Sequence, residues 1–507
     1  MYINPQSQFR VMRDIPFDSN YRHTILFSAL SSQSAFMASH VKAEYNKMTY
    51  VRHAESEIHS VKVSELADNI MDCNYCAFLN AGFGTKWFYA FITSVRYVNN
   101  NVTEIQFELD HWQTWMTELQ IGQCYVEREH VANDAPGIHT VEENIPFGEY
   151  VVSSELEKDL GAGVLVQMAY DTPAGMQAGV FSGLTLQGAS TAGAGSISDL
   201  LEQFSDQPEK VAFLGMCSGG MVEGSTVQTH SSGVGLNRDL GSFDFNNISY
   251  TPKNNKLYCY PYCLISVDNY NGNAETYRWE DFSSMTSATF SIHESPIPKP
   301  SVECYPTSYK GMVSAQNFGI TYDNFPMCPF IIDTYRAWAS QAIPKMLLST
   351  GTEIVSGVMA GGLEGAVSSL VNQAPNLANF ALDNQYKRIH GTTYGGSIAG
   401  SGMNFAYNRI GFRFLLYTIK PEFAKIVDDY FTRFGYKVLT YKVPETRSRS
   451  SFNYVKTIES TVEGNIPQEA IDVLENSLNA GITFWHTANV KNFDLQNDIV
   501  EDESYSL

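Results

Sequence analysis

The stretch Lys86 to Asp110, KWFYAFITSVRYVNNNVTEIQFELD, decides the fold class of this chain. Large apolar residues alternate with smaller or polar ones as far as Val98, which is the period of a half-buried β-strand. The three asparagines at 99–101 favour a turn, and VTEIQFELD returns with the same alternation. We therefore predict a β-hairpin here and a β-rich fold around it.

The residues before the hairpin extend this prediction. MTYVRH (48–53) and EIHSVKVS (57–64) are typical of two more strands. SELADNIMD follows, and we expect Ser64 to be the N-cap of a short helix. Residues 1–135 are therefore predicted to form one β-rich unit.

The C-terminal part has the clearest pattern. IGFRFLLYTIK (410–420) predicts a strand, and PEFAKIVDDYFTRFG predicts a helix that begins at Pro421 and ends at Gly435. The predicted apolar face of this helix consists of Phe423, Ile426, Val427, Tyr430, Phe431 and Phe434. YKVLTYKV and SFNYVKTI follow as strands, PQEAIDVLENSLNAG as a second helix and ITFWH as a last strand. The order β-α-β-β-α-β predicts a small split-βαβ module.

The middle of the chain, 136–340, mixes Gly-rich pieces such as GASTAGAGS with strand-like runs such as KLYCYPYCLISV. We predict β structure with mobile loops there. The chain then divides into four segments: 1–135, β-rich; 136–340, β structure and loops; 341–404, apolar and Gly/Ala-rich; and 405–507, α/β.

Composition limits the function classes. The chain has 507 residues, with 33 basic and 54 acidic side chains and a net charge of −21. This charge repels phosphate backbones and disfavours a surface that grips nucleic acid. The opening MYINPQSQFRVMRD lacks a basic region followed by an apolar core, so we expect synthesis in a cytoplasm and cysteines that act as small buried hydrophobes.

The sharpest enzyme-like signal is KVAFLGMCSGG, in which a strand leads into the G-x-nucleophile-x-G spacing around Cys217. Such an elbow needs a helix directly after it, and the continuation GMVEGSTVQ is a poor helix former. A strand that ends in a turn is therefore favoured over a cysteine nucleophile.

Metal and phosphate signals are weak. Cys73 and Cys76 could join Cys259 and Cys263 in a four-thiolate zinc site, but the neighbouring tyrosines favour packed strands. GFGTK (82–86) is too short for a phosphate loop and leads into a strand. His111, His130, His139 and His486 are assigned no catalytic role. A pair of acids for glycoside cleavage stays open, because the sequence selects no pair. We predict no catalytic residue, no cofactor and no metal.

The segment MLLSTGTEIVSGVMAGGLEGAVSSLV, Met346 to Val371, is unusual in so acidic a chain. Wound as a helix, it places Gly357, Gly361 and Gly365 in one row beside its two glutamates, with bulky apolar residues opposite. The residues predicted to form a membrane-active or plug loop are Glu353, Val355, Gly357, Val358, Met359, Gly361, Leu363, Glu364, Gly365, Val367 and Leu370.

In water each interior glycine costs this helix about 1 kcal/mol relative to alanine. In a bilayer the helix becomes obligatory, small residues let helices approach closely, and the glutamates must face water or a pore. Two hypotheses follow: close packing at a subunit interface or in a lumen, or insertion into a membrane during function. Both can hold in sequence.

Several stretches together resemble one family. They are RVMRDIPFDSNYRHTILF, GTKWFYAFITSV, FELDHWQTWM and VEREHV in the N-terminal part, and FGYKV, TRSRSSFNYVKT, EGNIP and NAGITFWHT in the C-terminal part. In this order, over about 1–135 and 405–490 with an apolar insert between, the chain resembles the tail knob or distal tail tube proteins of phi29-like short-tailed bacteriophages.

The resemblance implies a homohexameric, β-barrel-rich tube at the distal end of the phage tail, through which the genome leaves the virion. The partners it implies are other copies of the chain, an upstream tail or collar protein, double-stranded DNA in transit without specific binding, and the host cell membrane. The apolar loops of the family are expected to close the lumen and then to reach that membrane. Residues expected to serve fold or ring packing are Lys86, Trp87, Gln113, Trp115, Arg128, His130, Phe452, Asn453, Trp485 and His486.

We therefore predict a β-rich α+β protein with β-barrel-like, hub-like tail tube domains and the C-terminal β-α-β-β-α-β module, assembling as a ring. Segment 136–340 would form the distal knob, and 346–382 would be the lumen plug and membrane-active loop. An acidic lumen would let DNA pass without drag. The alternatives are a wall- or capsule-degrading tail hydrolase and a secreted pore-former.

Overall fold

The computed structural model describes residues 6–48, 59–80, 84–169, 184–190, 211–223, 226–239, 241–296, 300–310, 319–322, 325, 327–329 and 410–500. The helices in these ranges are α1 Leu30–Ser39, α2 His111–Trp115, α3 Pro421–Phe434 and α4 Gln468–Ala480. The strands of the first half are β1 Ser7–Arg13, β2 His23–Ile25, β3 Val41–Met48, β4 His59–Val63, β5 Cys73–Asn80, β6 Phe88–Asn99, β7 Val102–Leu109, β8 Leu119–Ile121, β9 Cys124–Glu129, β10 Tyr150–Asp159, β11 Ala162–Ala169, β12 Leu184–Ser190, β13 Val211–Ser218, β14 Val222–Glu223 and β15 Thr226–Val227. The later strands are β16 His230–Asn237, β17 Phe243–Phe245, β18 Ile248–Tyr250, β19 Cys263–Asp268, β20 Ala274–Arg278, β21 Ser287–Ser295, β22 Ser301–Pro306, β23 Ile320–Tyr322, β24 Met327–Pro329, β25 Gly411–Ile419, β26 Tyr436–Lys442, β27 Phe452–Ile458, β28 Val462–Gly464 and β29 Ile482–Trp485. The prediction of a β-rich chain with few helices is confirmed.

The chain divides into two compact units. Unit 1 consists of 1–146, 253–256 and 425–507, and unit 2 consists of 147–252 and 257–424. The N-terminal and C-terminal parts of the sequence therefore share one unit. The four-segment division made from the sequence stays a prediction.

Unit 1 contains a six-stranded sheet in the order β3-β1-β5-β6-β7-β4. The predicted hairpin is confirmed as β6 and β7, with Ala90 opposite Leu109 and two bulges along the ladder. Both faces of the central strand β5 are buried, Tyr75 in one core cluster and Cys76 in the other. The sheet is thus buried on both faces at its centre, whereas the outer strands β3 and β4 expose alternate residues.

The structure corrects the helix predicted after β4. Strand β4 is present, but the residues that follow form a single 3-10 turn, Ala67–Asn69. Leu66 precedes this turn and no side chain caps it, so Ser64 is not an N-cap. The predicted strand at 48–53 lies, apart from Met48, outside the described residues.

The second sheet of unit 1 has the order β2-β29-β27-β9-β26. Among the described strands, only β2 and β29 pair in parallel. The elements β25, α3, β26, β27, α4 and β29 occur in the predicted order, with the short strand β28 added. They do not form one split-βαβ module, because β9 lies between β26 and β27, and β25 belongs to a sheet of unit 2.

The predicted ends of α3 are confirmed, but its buried face is partly wrong. Val427 is buried as predicted, whereas Ile426 is 63% exposed and Asp428 is fully buried. The carboxylate of Asp428 accepts hydrogen bonds from the backbone N–H groups of Lys253 and Asn254, at 2.6 and 3.1 Å. These partners come from the short piece 253–256, which the sequence pattern of the helix could not reveal.

Helix α1 was not predicted. Its sequence, LSSQSAFMAS, has no amphipathic period, and only Gln33 and Met37 are buried. The Gln33 side chain donates to the backbone carbonyl of Gln113 at 2.7 Å and to its side-chain Oε1 at 2.9 Å. A buried amide pair therefore holds this helix where an apolar stripe usually would.

Unit 2 is built from short antiparallel sheets. They have the orders β10-β25-β19-β20, β12-β11-β13-β24 and β16-β21-β22-β23, and β14-β15 and β17-β18 form two-stranded sheets. Strands β19, β21 and β25 contribute Ile265, Phe290 and Phe414 to a common core cluster, which also holds Cys217 from the end of β13. The described parts of the middle segment are thus β structure, as predicted.

Asp110 gives unit 1 a specific pH response. It is fully buried, accepts from the backbone N–H of Gln113 as the N-cap of α2 at 3.1 Å, and accepts from the Tyr75 hydroxyl at 2.8 Å. Burial raises the pKa of this carboxyl to about 7. The folded chain therefore keeps a proton that the unfolded chain releases near pH 4.

We expect this contribution to stability to be present below about pH 4 and to be lost as the pH rises towards 7. Asp110→Asn should abolish this pH dependence. Between pH 4 and pH 7, wild type should therefore lose up to about 1.4 kcal/mol of unfolding free energy per pH unit relative to the variant. Urea unfolding at pH 4.5, 5.5 and 6.5 measures this. Asp68→Asn, at an exposed position, is the control. If the unfolding free energies of wild type and Asp110→Asn change with pH in the same way, Asp110 does not have the raised pKa.

Candidate functional site

The predicted membrane-active or plug loop, with Glu353, Val355, Gly357, Val358, Met359, Gly361, Leu363, Glu364, Gly365, Val367 and Leu370, lies outside the described residues. The flanking strands are described. We call β24 the upstream stem of this apolar segment and Ile410–Ile419, which is β25 with the residue before it, the downstream stem. Both stems belong to unit 2.

The upstream stem pairs with β13. Phe213 lies opposite Pro329, Leu214 opposite Cys328 and Gly215 opposite Met327, in antiparallel register. On its other side β13 pairs with β11. Among the described strands, the upstream stem is therefore the outer strand of a sheet whose next strand is β13.

The downstream stem reaches the same strand through a backbone corner. The N–H of Leu160 donates to the carbonyl of Ile410 at 2.8 Å, and the N–H of Gly219 donates to the carbonyl of Leu160 at 3.0 Å. Gly411 packs so closely that an added Cβ would lie 2.0 Å from the carbonyl oxygen of Lys158. Gly219 directly follows β13, so β13 pairs with the upstream stem and its end is linked to the downstream stem through Leu160.

A buried carboxylate lies at the end of β13. Glu294 of β21 is 1% exposed, and its two oxygens accept from the hydroxyl of Ser218 and bond to His230 Nδ1, the latter at 2.8 Å. A Cβ on Gly220 would lie 2.5 Å from Glu294 Oε1. Sequence reasoning missed this cluster, because Ser218 and Glu294 are far apart in the chain and the motif around Cys217 assigned Ser218 no role.

The geometry around Cys217 is that of a strand ending in a turn. The residue after β13 begins a 3-10 turn, Gly219–Met221, and not an α-helix. The Cys217 side chain is fully buried, and burial raises the pKa of its thiol to about 12. A thiol held neutral inside a core is a poor nucleophile.

The two cysteine pairs lie in different units. Cys73 and Cys76 belong to unit 1, and Cys259 and Cys263 belong to unit 2. Burial raises the pKa of the Cys73 and Cys263 thiols to about 11. Within the ranges that the structure describes, no three His, Cys, Asp or Glu side chains come together as a metal site. The cysteines contribute packed surface to their cores, as small apolar side chains do.

The buried histidines bind backbone groups. His130 accepts at Nδ1 from the N–H of Tyr454 at 2.7 Å, and its Nε2 lies 3.0 Å from the carbonyl of Thr432. Burial lowers the pKa of His130 to about 3 and that of His486 to about 4. Both rings are neutral at pH 7 and serve the fold.

The aromatic motif around Lys86 forms a compact contact. Lys86 Nζ lies 3.4 Å from the ring centroid of Trp115 and 2.5 Å from a carboxylate oxygen of Glu118. The guanidinium of Arg10 stacks over Trp87 at 4.2 Å. The cations of this surface are thus held by aromatic rings and carboxylates of the same unit.

Four other motif residues are central to the fold of unit 1. Gln113 donates to Thr24 Oγ1 and to the carbonyl of Ile25, at 3.0 and 2.7 Å, and so joins α2 to β2. The Asn453 side chain accepts from the N–H of Arg449 at 3.0 Å and donates to Ser448 Oγ at 2.7 Å. Phe452 and Trp485 pack with centroids 4.7 Å apart. These positions, which the family resemblance singled out, build the interior of one chain.

Arg128 is part of a buried ionic cluster. The carboxylate of Glu143, 2% exposed, bonds to the guanidinium of Arg128 and to Lys256 Nζ, the latter at 2.5 Å, and it accepts from the N–H of Lys437 at 3.1 Å. Arg128 also donates to the carbonyl of Gly435 at 2.7 Å. The sequence gives no signal for Glu143 or Lys256, because both lie in stretches without a periodic pattern.

Strand β10 carries an acidic edge in unit 2. Glu155, Glu157 and Asp159 are exposed at alternate positions, and Arg413 of β25 pairs with Glu155 at 2.5 Å. This strand is the outer strand of its sheet among the described strands. Its solvent face is thus predominantly anionic.

In the described ranges, every helix is too short or too polar to cross a bilayer. This result does not concern the apolar segment, which lies outside those residues.

Comparison with known families decides the identity of the chain. The model of the C-terminal domain of the Bacillus phage phi29 tail knob protein gp9 matches residues 228–503, more than half of the chain. The chain belongs to this tail knob family. A second model, the N-terminus of caudoviral major tail proteins, matches residues 5–120.

Relatives of this family member align along almost its whole length. The tail knob proteins gp9 of Bacillus phages phi29 and PZA are each 24% identical to it, and the alignments cover 97% of this chain and 98% of theirs. The gp9 tail knob protein of Bacillus phage B103 is 23% identical with the same coverage. The family resemblance found in the sequence is thereby confirmed, and the chain is a structural protein of a phage tail.

A solved structure shows the same fold. The tail knob protein gp12 of bacteriophage C1 superimposes with a TM-score of 0.61 at 13% identity, covering 97% of this chain and 100% of that chain. The β-rich architecture is thus that of a phage tail knob protein. The relatives carry the names of structural proteins, which agrees with the prediction that the chain is not an enzyme.

Proposed function

We propose that this protein forms the distal tail tube of a short-tailed phage, as a homohexameric ring through which the genome leaves the virion. The observation that carries the proposal is the alignment of almost the whole chain with tail knob proteins. An upstream tail or collar protein is the second structural partner. Double-stranded DNA passes through the ring without specific binding.

The charge of the chain supports a role as a conduit. A net charge of −21 and the acidic edge of β10 repel phosphate, so passing DNA gains no affinity through counterion release. A wall that bound DNA would slow its transit. Surfaces such as the acidic edge suit the lumen of such a ring.

The apolar segment supplies the second part of the proposal. Residues 346–382 plug the lumen before ejection and enter the host membrane during it. The physical support is the Gly357, Gly361 and Gly365 row with bulky apolar residues opposite, which water leaves unstable as a helix and a bilayer stabilises. The glutamates Glu353 and Glu364 then face a water-filled pore.

Negative-stain imaging of the purified full chain tests the ring. We expect particles with six-fold symmetry and a central hole, and a mass in solution that corresponds to six chains. A compact monomer at high protein concentration would refute the proposed ring.

Leakage from lipid vesicles tests the segment. Replacing Val358, Met359 and Leu363 together by serine removes apolar surface that would be buried in lipid, so leakage of a trapped dye should fall at least about a hundredfold. The matched control replaces three exposed apolar residues elsewhere, Leu30, Met71 and Ile248, by serine. Equal leakage from the segment variant and the control would refute membrane insertion but leave the ring intact.

A further inference from the structure

We propose that Glu294 is a positioning residue that, through Ser218, fixes the end of β13 and thereby holds both stems of the apolar segment in place. The inference relies on the proposed function only for the role of the segment itself. The holding contact is a property of the described residues of unit 2.

Strand β13 is linked to both stems. Its central residues pair with the upstream stem at three successive positions, Phe213 to Gly215. The residue after its last one, Gly219, donates to the carbonyl of Leu160, and Leu160 donates to Ile410 at the start of the downstream stem. A displacement of the end of β13 therefore acts on the upstream stem directly and, through Leu160, on the start of the downstream stem, which also pairs with β10 and β19.

Core packing and the bond from Ser218 to Glu294 fix the end of β13. Cys217 and Met221 lie in the core of unit 2, together with Phe412 from the downstream stem. Between them, the Ser218 hydroxyl donates to Glu294, which is a residue of the sheet β16-β21-β22-β23. This bond ties the sheet of β13 to a second sheet of the same unit.

The hydrogen bond between Ser218 and Glu294 is shielded from water. Glu294 is 1% exposed and Ser218 is fully buried, so water does not replace a bond that is lost between them. His230 holds the other carboxylate oxygen at 2.8 Å and so fixes the rotamer of Glu294. A Cβ on Gly220 would lie 2.5 Å from the carboxylate, so the backbone of this corner packs directly against Glu294.

Hydrogen exchange of the full chain, read by mass spectrometry, tests the inference. Ser218→Ala removes the hydroxyl but substitutes no residue of β16 or β21, and it should speed exchange about tenfold or more in peptides from β13, β24 and the start of β25 together. Glu294→Gln keeps an acceptor for Ser218 and a donor for His230, so its exchange in these peptides should remain close to that of wild type.

Ser231→Ala is the matched control. Ser231 bonds to His293 at 3.0 Å across the same two strands as His230 and Glu294, but at the exposed side. We expect this variant to leave the stems unchanged. The inference is overturned if Ser218→Ala opens only one stem, if it exchanges like wild type, or if Ser231→Ala opens both stems equally.

The exchange result separates this inference from the proposed function. If wild type causes no vesicle leakage but Ser218→Ala opens both stems, membrane insertion fails and the positioning role stands. If wild type causes leakage and Ser218→Ala leaves both stems protected, the positioning role fails and membrane insertion stands.

Discussion

Gly435→Ala is expected to prevent unit 1 from reaching its native structure, at a cost of at least about 4 kcal/mol. Gly435 ends helix α3 with φ +62°, a conformation that alanine adopts with strain. The greater effect is steric, because an added Cβ would lie 2.0 Å from the carbonyl oxygen of Glu129, an atom of the backbone. Strands β9 and β26 would have to separate at this point.

Gly272→Ala provides the matched control for backbone strain. Gly272 also has a positive φ, +85°, but an added Cβ there meets no atom within 4 Å. We expect it to cost about 1 kcal/mol. Soluble yield and urea unfolding of both variants measure the difference. If the two glycine variants lose the same stability, close packing against Glu129 has no measurable energetic effect and our account of this helix end is wrong.

Glu143→Ala is expected to destabilise unit 1 by about 3–5 kcal/mol. The substitution removes the carboxylate that neutralises Lys256, which is 2% exposed, and the guanidinium of Arg128. The two cations would then lose the carboxylate that both of them contact in the interior. The N–H of Lys437 would lose an acceptor as well.

Glu143→Gln separates charge from shape. It preserves the volume and one acceptor, so we expect a smaller loss than for alanine. Glu44→Ala is the control, since Glu44 pairs with Arg10 at the surface and should cost less than about 1 kcal/mol. Equilibrium unfolding in urea ranks the three variants. A Glu143→Ala variant no less stable than Glu44→Ala would show that the buried ionic cluster contributes nothing to the stability of unit 1.

The elements that the sequence predicted well depend on neighbouring residues. The hairpin of β6 and β7 follows from a period of two and a run of asparagines, and α3 and α4 follow from a period of 3.6. The limits of α3 at Pro421 and Phe434 follow from the rigid φ of proline and the positive φ of the glycine after it. Failures occurred where a polar contact replaced the pattern, as with Gln33 in α1 and Asp428 in α3.

Of the candidate site, the sequence revealed only the apolar segment. The apolar segment is visible as a Gly/Ala-rich run. Its upstream stem pairs with β13 and its downstream stem is linked to the end of β13 through Leu160, and β13 lies about a hundred residues or more before each of them. Glu294, Ser218 and His230 meet across three different strands or turns. No local period encodes such a meeting, since each residue by itself is compatible with an exposed loop.

By itself the sequence determined the local elements, the acidic balance, the apolar segment and membership of the tail knob family. These follow from residues that are close together in the chain or from its overall composition. Tertiary structure alone decided that β9 enters between β26 and β27, that β25 joins a sheet of unit 2, and that Glu143 and Asp428 are buried. The reason is that strand partners and buried charges are selected by the whole set of competing contacts, most of them between residues far apart in the chain.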